Sequence, residues 1–306
     1  ADAELMAAGI FPDPSLMVEG KLSDFSIGAG YTLELGGKRQ ARQRLAQRKM
    51  EYENTALKAY FQNLRADAAA CYLDALLQQE LLAVKRKAYS YMLQLSRSDS
   101  IRFILGDLAE TDARQSKLEA TTLGNAVVEQ EGVYQSALIV LNQFMGSVTH
   151  SIAVPQGALG IQIPAYNLID LLAIGLENRQ DLAAAHKQID VANQAEALVR
   201  AARKIDLSLS VNYEQEPRAF VPMTHAVKVG LAMPIKLSNR NRGHLYAAQY
   251  AVAQAKVEAK SSALQIQAEI SQCYYQFEAQ HKIMQQYKLG LLSDAQHVME
   301  GMIYKY

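Results

Sequence analysis

The residues that most often carry chemistry in proteins are few and widely spaced in this sequence. The chain of 306 residues has six histidines and two cysteines. No two histidines form an H-x-x-x-H pattern, and none pairs with a cysteine at a spacing typical of zinc ligands. We therefore predict no enzymatic activity, no cofactor and no bound metal. We interpret the histidines as isolated surface or interfacial residues: His150, His186, His225, His244, His281 and His297.

Two strands of alternating character stand out when the elements around these residues are considered. Residues 25–35 place Phe25, Ile27 and Leu33 on one face and small or polar residues on the other. Residues 224–237 repeat the pattern 202 positions later, with Gly230 at the position of Gly28. Alternation over ten or more residues is typical of strands. His225 and His244 flank the second strand.

A long helix is predicted after each of the two strands, with a seam of residues at alternating steps of three and four. Such spacing is typical of helices that supercoil on a neighbour. The two seams have the same residue type at two matching positions: Cys71 corresponds to Cys273, and Gln78 to Gln280. We therefore interpret the chain as an internal repeat. The first seam is Leu57, Phe61, Leu64, Ala68, Cys71, Ala75, Gln78 and Leu82; the second is Ala259, Ala263, Ile266, Ile270, Cys273, Phe277, Gln280 and Met284.

Composition sets further limits on the fold and the partners. The chain has 31 Lys plus Arg and 31 Asp plus Glu, so it lacks the basic excess of nucleic-acid-binding proteins. No glycine lies between Gly37 and Gly106, and no proline between Pro14 and Pro155. A helix across the glycine-free stretch would be about 90 Å long, which suits an elongated assembly better than a compact domain.

These patterns predict a mainly α protein with β-hairpins, built from two tandem helix–hairpin–helix repeats. The first repeat covers residues 1–146, with strands at 14–35, a long helix at 38–98, a tip at 98–107 and a returning helix at 108–145. A linker follows at 147–166. The second repeat covers 167–306, with a helix at 167–204 that Asn167 caps, strands at 206–237 and a long helix from 240 to 306.

The strands leave two interpretations open. Strands of about ten residues with one apolar face match the span of a tilted transmembrane β-strand. Four strands cannot close a barrel around an open pore, so this interpretation requires further copies of the chain. The alternative is an ordinary half-buried sheet covered by helices. In that case the protein would be a soluble coiled-coil scaffold whose hairpins act as docking modules.

The whole chain resembles the TolC-like outer-membrane factors, the exit ducts of Gram-negative tripartite efflux pumps. The residues 33–39, LELGGKR, and 239–243, NRNRG, resemble the strand-to-helix junctions of the heavy-metal cation (cobalt-zinc-cadmium) branch. The resemblance implies a homotrimer with one twelve-stranded β-barrel in outer-membrane lipid and an α-barrel of helices across the periplasm. It implies a periplasmic adaptor protein and an inner-membrane efflux pump as partners, and export of heavy-metal cations. Drugs or other small toxic compounds are the alternative cargo.

The resemblance also identifies a candidate contact site at the turn after the first long helix. Residues 102–106, RFILG, resemble the periplasmic tip of the family, which contacts the adaptor. Candidate adaptor contacts are therefore Leu105, Gly106, Asp107 and Leu108, and Asp112 is a candidate for holding the tip closed. The alternative is that Gly106 is only a helix C-cap and Asp112 a solvated acid of the first helical turn.

Two further expectations follow. We expect the chain to be a fragment of a longer protein, truncated at both ends, so that the gate residues of the second repeat lie beyond Tyr306. We also expect Cys71 and Cys273 to be free, buried thiols, because the repeat places them on different helices.

Overall fold

The computed structural model describes residues 2–20, 25–146, 154–157, 159, 164–218, 221–235, 241–287, 290 and 297. It is mainly helical, with a single four-stranded antiparallel sheet in this part of the chain. The elements are α1 (Asp2–Ala8), β1 (Ser15–Gly20), β2 (Phe25–Leu33), α2 (Lys38–Leu105), α3 (Glu110–Phe144), α4 (Leu168–Asn178), α5 (Gln180–Ala202), β3 (Leu207–Arg218), β4 (Val221–Ala232) and α6 (Arg242–Gln286).

The chain forms two compact units. The first comprises residues 1–59 and 166–306 and contains the sheet, and the second comprises residues 60–165. The predicted repeats, 1–146 and 167–306, do not coincide with these two units. The division of the sequence into repeats stays a prediction. The predicted linker at 147–166 and the predicted helix beyond residue 287 lie largely outside the described residues.

The first long helix extends further than predicted. Residues 98–105, which we assigned to the tip, continue α2 to Leu105. Serine and aspartate at 98–100 favoured a turn in the sequence, but the Ser100 hydroxyl donates to the Ser96 carbonyl, one turn earlier. Ser96 and Asp99 are buried, so packing also supports the helix here. The first residue that stops α2 is Gly106.

The predicted helix at 167–204 is wrong in one respect, because it is broken into α4 and α5. Asn167 caps α4 as expected, with its side-chain oxygen accepting from the Ile169 N–H at 3.1 Å. Arg179 has an extended backbone (φ −69°, ψ 116°) and separates the two helices. No Gly or Pro marks this position, and the break is supported by side-chain bonds from Arg179 to Asp181.

The last two strands, β3 and β4, lie close together in the sequence. β3 runs to Arg218 and β4 begins at Val221. The pairing register shifts between Glu216 and Arg218, on either side of Pro217. Because proline has no N–H for the ladder, such an irregularity lets it remain within an antiparallel pair. β2 and β4 end at Leu33 and Ala232 rather than at residues 35 and 237.

Helices α2 and α3 pack through the second half of the predicted seam. Ala75 and Leu82 are buried on α2, and Ala137, Leu138 and Leu141 are buried on α3. The earlier seam residues Leu57, Phe61 and Leu64 are exposed in the single chain. Both thiols are free, but their predicted burial is wrong: Cys71 is half-buried and Cys273 is exposed. The seam therefore continues along faces that this chain alone does not cover.

The polar seam position Gln78 takes part in a network between α2 and α3. Gln130, which is 6% exposed, donates from Nε2 to the Gln78 Oε1 at 2.7 Å. Its own Oε1 accepts from the Lys85 Nζ at 2.8 Å. A satisfied polar contact at one seam position fixes the register of paired helices, because any slip leaves the polar groups without partners.

We expect Gln130→Leu to destabilise the protein by about 1–3 kcal/mol, because it leaves Gln78 and Lys85 without their shared partner. The midpoint of thermal unfolding measures the effect. Gln143→Leu, at an exposed position of the same helix, is the matched control and is expected to be neutral. Equal shifts in the two variants would contradict a role of the network in register.

Candidate functional site: an amphipathic sheet and a helical turn

The sheet has one apolar face, and its strand register makes that face continuous. Antiparallel partners point to the same side. Ile27 pairs with Tyr213, which pairs with Val227, and the next row joins Ala29, Val211 and Val229. Exposed members of this face include Leu16, Val18, Phe25, Ile27, Leu33, Leu209, Val211, Tyr213, Val227, Val229 and Leu231.

The apolar face is the more exposed face of the sheet. Leu16 is 72% exposed and Val229 is 77% exposed, at the two edge strands. In the central strand β2, Gly28 and Gly30 on the opposite face are buried, while Phe25, Ile27 and Leu33 are exposed. Water-soluble domains bury the apolar face of a sheet. An exposed apolar surface of this extent marks an interaction with protein or lipid.

The opposite face is mainly polar and has glycines among its polar side chains. Thr32 and Ser208 hydroxyls lie 3.4 Å apart, and Lys228 pairs with Glu214. A Cβ added to Gly28 would lie 1.7 Å from the Asn212 Oδ1, and one added to Gly230 would lie 2.5 Å from the Ser210 Oγ. The glycines therefore make room for the polar side chains of β3, and this face of the sheet is crowded.

Charged residues connect the ends of the strands to the start of α2. Asp206, just before β3, accepts from the Lys38 Nζ at 2.6 Å and from the Leu35 backbone N–H at 3.1 Å. Glu34 accepts two bonds from Arg42, at 2.5 and 2.8 Å. Leu35 thus bonds to a carboxylate rather than to a neighbouring strand, which is the reason that β2 ends earlier than predicted.

The glycine pair at this junction is required by backbone geometry. Gly36 and Gly37 have φ of 84° and 72°, in the left-handed region that other residues avoid. A Cβ on Gly36 would also lie 2.7 Å from the Lys204 Cβ. The change from strand to helix therefore depends on glycine here.

The predicted contact residues come together in the turn between α2 and α3. Gly106 has φ of 86°, its N–H donates to the Phe103 carbonyl, and the Asp107 N–H donates to the Arg102 carbonyl. These two bonds form a Schellman motif, as the C-cap interpretation of Gly106 predicted. Helix α3 starts at Glu110 with Ala109 as its N-cap, two residues later than the predicted start at residue 108.

The surface of this turn is apolar on the α2 side and acidic on the α3 side. Leu105 is 70% exposed and Ile104 is 79% exposed, while Leu108 is half-buried. Asp107 and Asp112 are exposed, and Asp112 has a 3.5 Å contact with the Thr111 hydroxyl. Ile101 is also exposed and lies one helical turn before Leu105 on the same side of α2.

Arg179, at the break between α4 and α5, is the centre of a second charged cluster. Its Nη2 lies 2.5 Å from the Asp181 Oδ2 and 3.2 Å from the Glu269 Oε2. Hydrogen bonding to Arg179 lowers the pKa of Asp181, and the bond to Asp181 is the main reason that the pKa of Arg179 is raised. Both groups therefore keep their charges at neutral pH.

We expect Asp181 to contribute stability that disappears in acid. Because its folded pKa lies below the unfolded value of about 3.9, the contribution is fully present above that value and is lost as the pH falls through the folded pKa. Thermal unfolding should therefore separate wild type from Asp181→Asn at pH 7 and much less at pH 3. Asp190→Asn, in the same helix, is the control. A gap that is equally wide at both pH values would contradict this assignment.

The histidines and metal-ligand residues are dispersed. His225 lies with its Nδ1 2.5 Å from the Tyr213 Oη, and His281 stacks on Phe277 with ring centroids 5.9 Å apart. Among the described residues, no three His, Cys, Asp or Glu side chains lie close enough together to hold a metal ion. His150 lies outside this part of the chain.

None of the helices in the described residues has a stretch that is long and apolar enough to cross a membrane.

Comparison with known proteins shows similarity to one protein family. Residues 171–299 match the model of the outer membrane efflux protein family. The match begins within α4 and extends past the end of α6.

The chain is also similar to the cobalt-zinc-cadmium resistance protein CzcC of Cupriavidus metallidurans. The two are 25% identical over 249 residues, which cover 80% of this chain and 59% of CzcC. The chain thus spans less than two thirds of the length of this relative.

Solved structures share the fold. CusC and VceC of Vibrio cholerae each match with a TM-score of 0.68 at 16% identity, covering 98% and 96% of this chain and 76% of each of theirs. The MtrE outer membrane channel of Neisseria gonorrhoeae matches with a TM-score of 0.67 at 16% identity, over 100% of this chain and 74% of its own.

Proposed function

We propose that the protein is the outer-membrane duct of a tripartite efflux pump, in which three copies form one twelve-stranded β-barrel. The observation that carries this proposal is the exposed apolar face of the sheet. β1 and β4 are edge strands in the single chain. Unpaired edges cannot lie in lipid, so a sheet with this face in a bilayer needs strands from other copies.

The polar face of the sheet supports a water-filled interior. The glycines on that face make room for polar side chains of β3, and polar side chains can line an aqueous interior. The exposed seam residues Leu57, Phe61 and Leu64 support helix packing between copies, since a soluble scaffold of one chain would leave them in water. We interpret the helices as the wall of an α-barrel in the periplasm.

We propose heavy-metal cations as the cargo and a periplasmic adaptor and an inner-membrane pump as the partners. Support comes from the similarity to CzcC, whose name describes resistance to cobalt, zinc and cadmium. The described residues hold no cluster of metal ligands, which suits a duct that conducts its cargo without binding it. Deleting the gene should lower resistance to these metals more than resistance to drugs. The opposite order would favour a drug duct.

The turn between α2 and α3 is the proposed adaptor contact, through Leu105, Gly106, Asp107 and Leu108, with Asp112 holding the tip closed. We expect Leu105→Asp to reduce metal resistance of a complemented deletion strain at least tenfold, because it places a charge in an apolar contact. Its amount in the outer membrane should be unchanged. Leu118→Asp, at a similarly exposed position of α3, is the matched control. Full resistance with Leu105→Asp would exclude this turn as the contact.

A further inference from the structure

An aromatic cavity lies between α4 and α6, beside the break at Arg179. Its volume is about 350 Å³, within the range of small-molecule sites. The wall is mainly apolar, and Arg179 and Glu269 contribute its charges. The lining residues are Tyr166, Leu171, Arg179, Glu269, Ile270, Cys273, Tyr274 and Phe277.

The aromatic rings of this cavity are positioned by contacts with one another. Tyr166 meets Phe277 edge to face, with ring centroids 5.6 Å apart. On its other side Phe277 stacks against His281. Because α6 has one turn every 3.6 residues, Glu269, Cys273 and Phe277 lie on one face of that helix, a turn apart. The carboxylate and the rings therefore face the same opening.

The charges at the cavity leave one negative charge in excess. The guanidinium of Arg179 is shared between the carboxylates of Asp181 and Glu269, so one cation meets two anions. The Glu269 side chain is 43% exposed and also accepts a 3.1 Å bond from the Gln265 amide. Arg179 is held on the carboxylates, and the rings of Tyr166, Tyr274 and Phe277 line the cavity beside them.

We propose that this cavity binds small organic cations that carry an apolar group, such as aryl or alkyl ammonium compounds. Aromatic faces attract cations, and a nearby carboxylate increases the attraction. A metal ion is a poorer fit, since one thiol and one carboxylate do not complete a coordination sphere. An organic anion would be repelled by the excess charge. This site is independent of the proposed duct, because it needs neither the barrel nor the adaptor.

Cys273 provides a direct readout, because its exposed thiol lines the cavity. The experiment uses the protein purified from outer membranes in detergent, with Cys71→Ser to leave a single thiol. Benzyltrimethylammonium should slow the reaction of Cys273 with a neutral thiol reagent at least threefold at saturation. Benzoate should give no protection, and benzyl alcohol should protect only at much higher concentration. Equal protection by all three compounds, or a thiol that does not react, would overturn the proposal.

Two variants separate the contributions of the Glu269 charge and the Phe277 ring to binding of the cation. Glu269→Gln should raise the half-protecting concentration of benzyltrimethylammonium about tenfold, and Phe277→Leu about three- to fivefold. The controls are Glu258→Gln on the same helix and Phe144→Leu on α3, which should not change the half-protecting concentration. Circular dichroism checks that each variant is folded.

A second measurement does not depend on any variant of the wall. A cationic methanethiosulfonate should modify Cys273 several times faster than an anionic one of the same size, because the local potential is negative. Faster reaction of the anionic reagent would overturn the proposal. Failure of the duct hypothesis in the resistance assay would leave both labelling results unchanged, so the two proposals are tested separately.

Discussion

Val229→Lys should remove the protein from the outer membrane. Val229 lies in the central row of the apolar face, opposite Val211 and in line with Ala29, the middle residue of β2. It is also among the most exposed apolar residues of the sheet. A lysine facing lipid near the middle of a bilayer costs about 2–4 kcal/mol, and three copies would carry it in one barrel.

The measurement is the amount of folded protein in outer-membrane fractions, together with the fraction that resists SDS as an oligomer before heating. Ala226→Lys is the matched control, because it lies on the polar face of the same strand and opposite Glu214. We expect the control to insert normally. If Val229→Lys inserts as well as Ala226→Lys does, the apolar face is not in lipid and the soluble scaffold becomes the better interpretation.

Asp206→Ala should cause the second large effect, a loss of stability of about 3 kcal/mol. The substitution leaves the Lys38 ammonium, whose side chain is only 11% exposed, without its partner. It also removes the acceptor of the Leu35 N–H, at the point where β2 gives way to α2. An unpaired charge in a mostly buried place costs far more than the pair contributes.

A double-mutant cycle tests this explanation by thermal unfolding in detergent. Lys38→Met removes the charge and keeps most of the side-chain volume. In combination with Asp206→Ala it should recover part of the lost stability, so the double variant is more stable than the sum of the single effects predicts. Strict additivity would show that the two residues do not act as a pair.

The sequence was sufficient for the elements with strong periodicity. Alternation in residues 25–35 predicted the faces of β2, and the lack of breakers after Gly37 predicted a long α2. Gly106 and Asn167 were predicted as caps from residue type, and the structure confirms both caps.

The rest depended on contacts between distant residues. The end of β2 is set by Asp206, which is 171 positions from Leu35. The break at Arg179 depends on Asp181 and Glu269 rather than on a breaking residue. Helix α3 starts only at Glu110, after a turn closed by the backbone N–H bonds of Gly106 and Asp107. The ends of these strands and helices depend on tertiary contacts, which cannot be predicted from the local propensities of the residues.

The sheet imposes a different kind of restraint on each of its two surfaces. On the side of Val211 and Val229, side chains can change in bulk provided that they stay nonpolar. On the side of Gly28 and Gly230, where Asn212 and Ser210 fill the space above the backbone, polarity is free to vary and bulk is not. Mutational scanning should therefore show hydrophobicity limiting tolerance along the first surface and volume limiting it at Gly28 and Gly230 on the second.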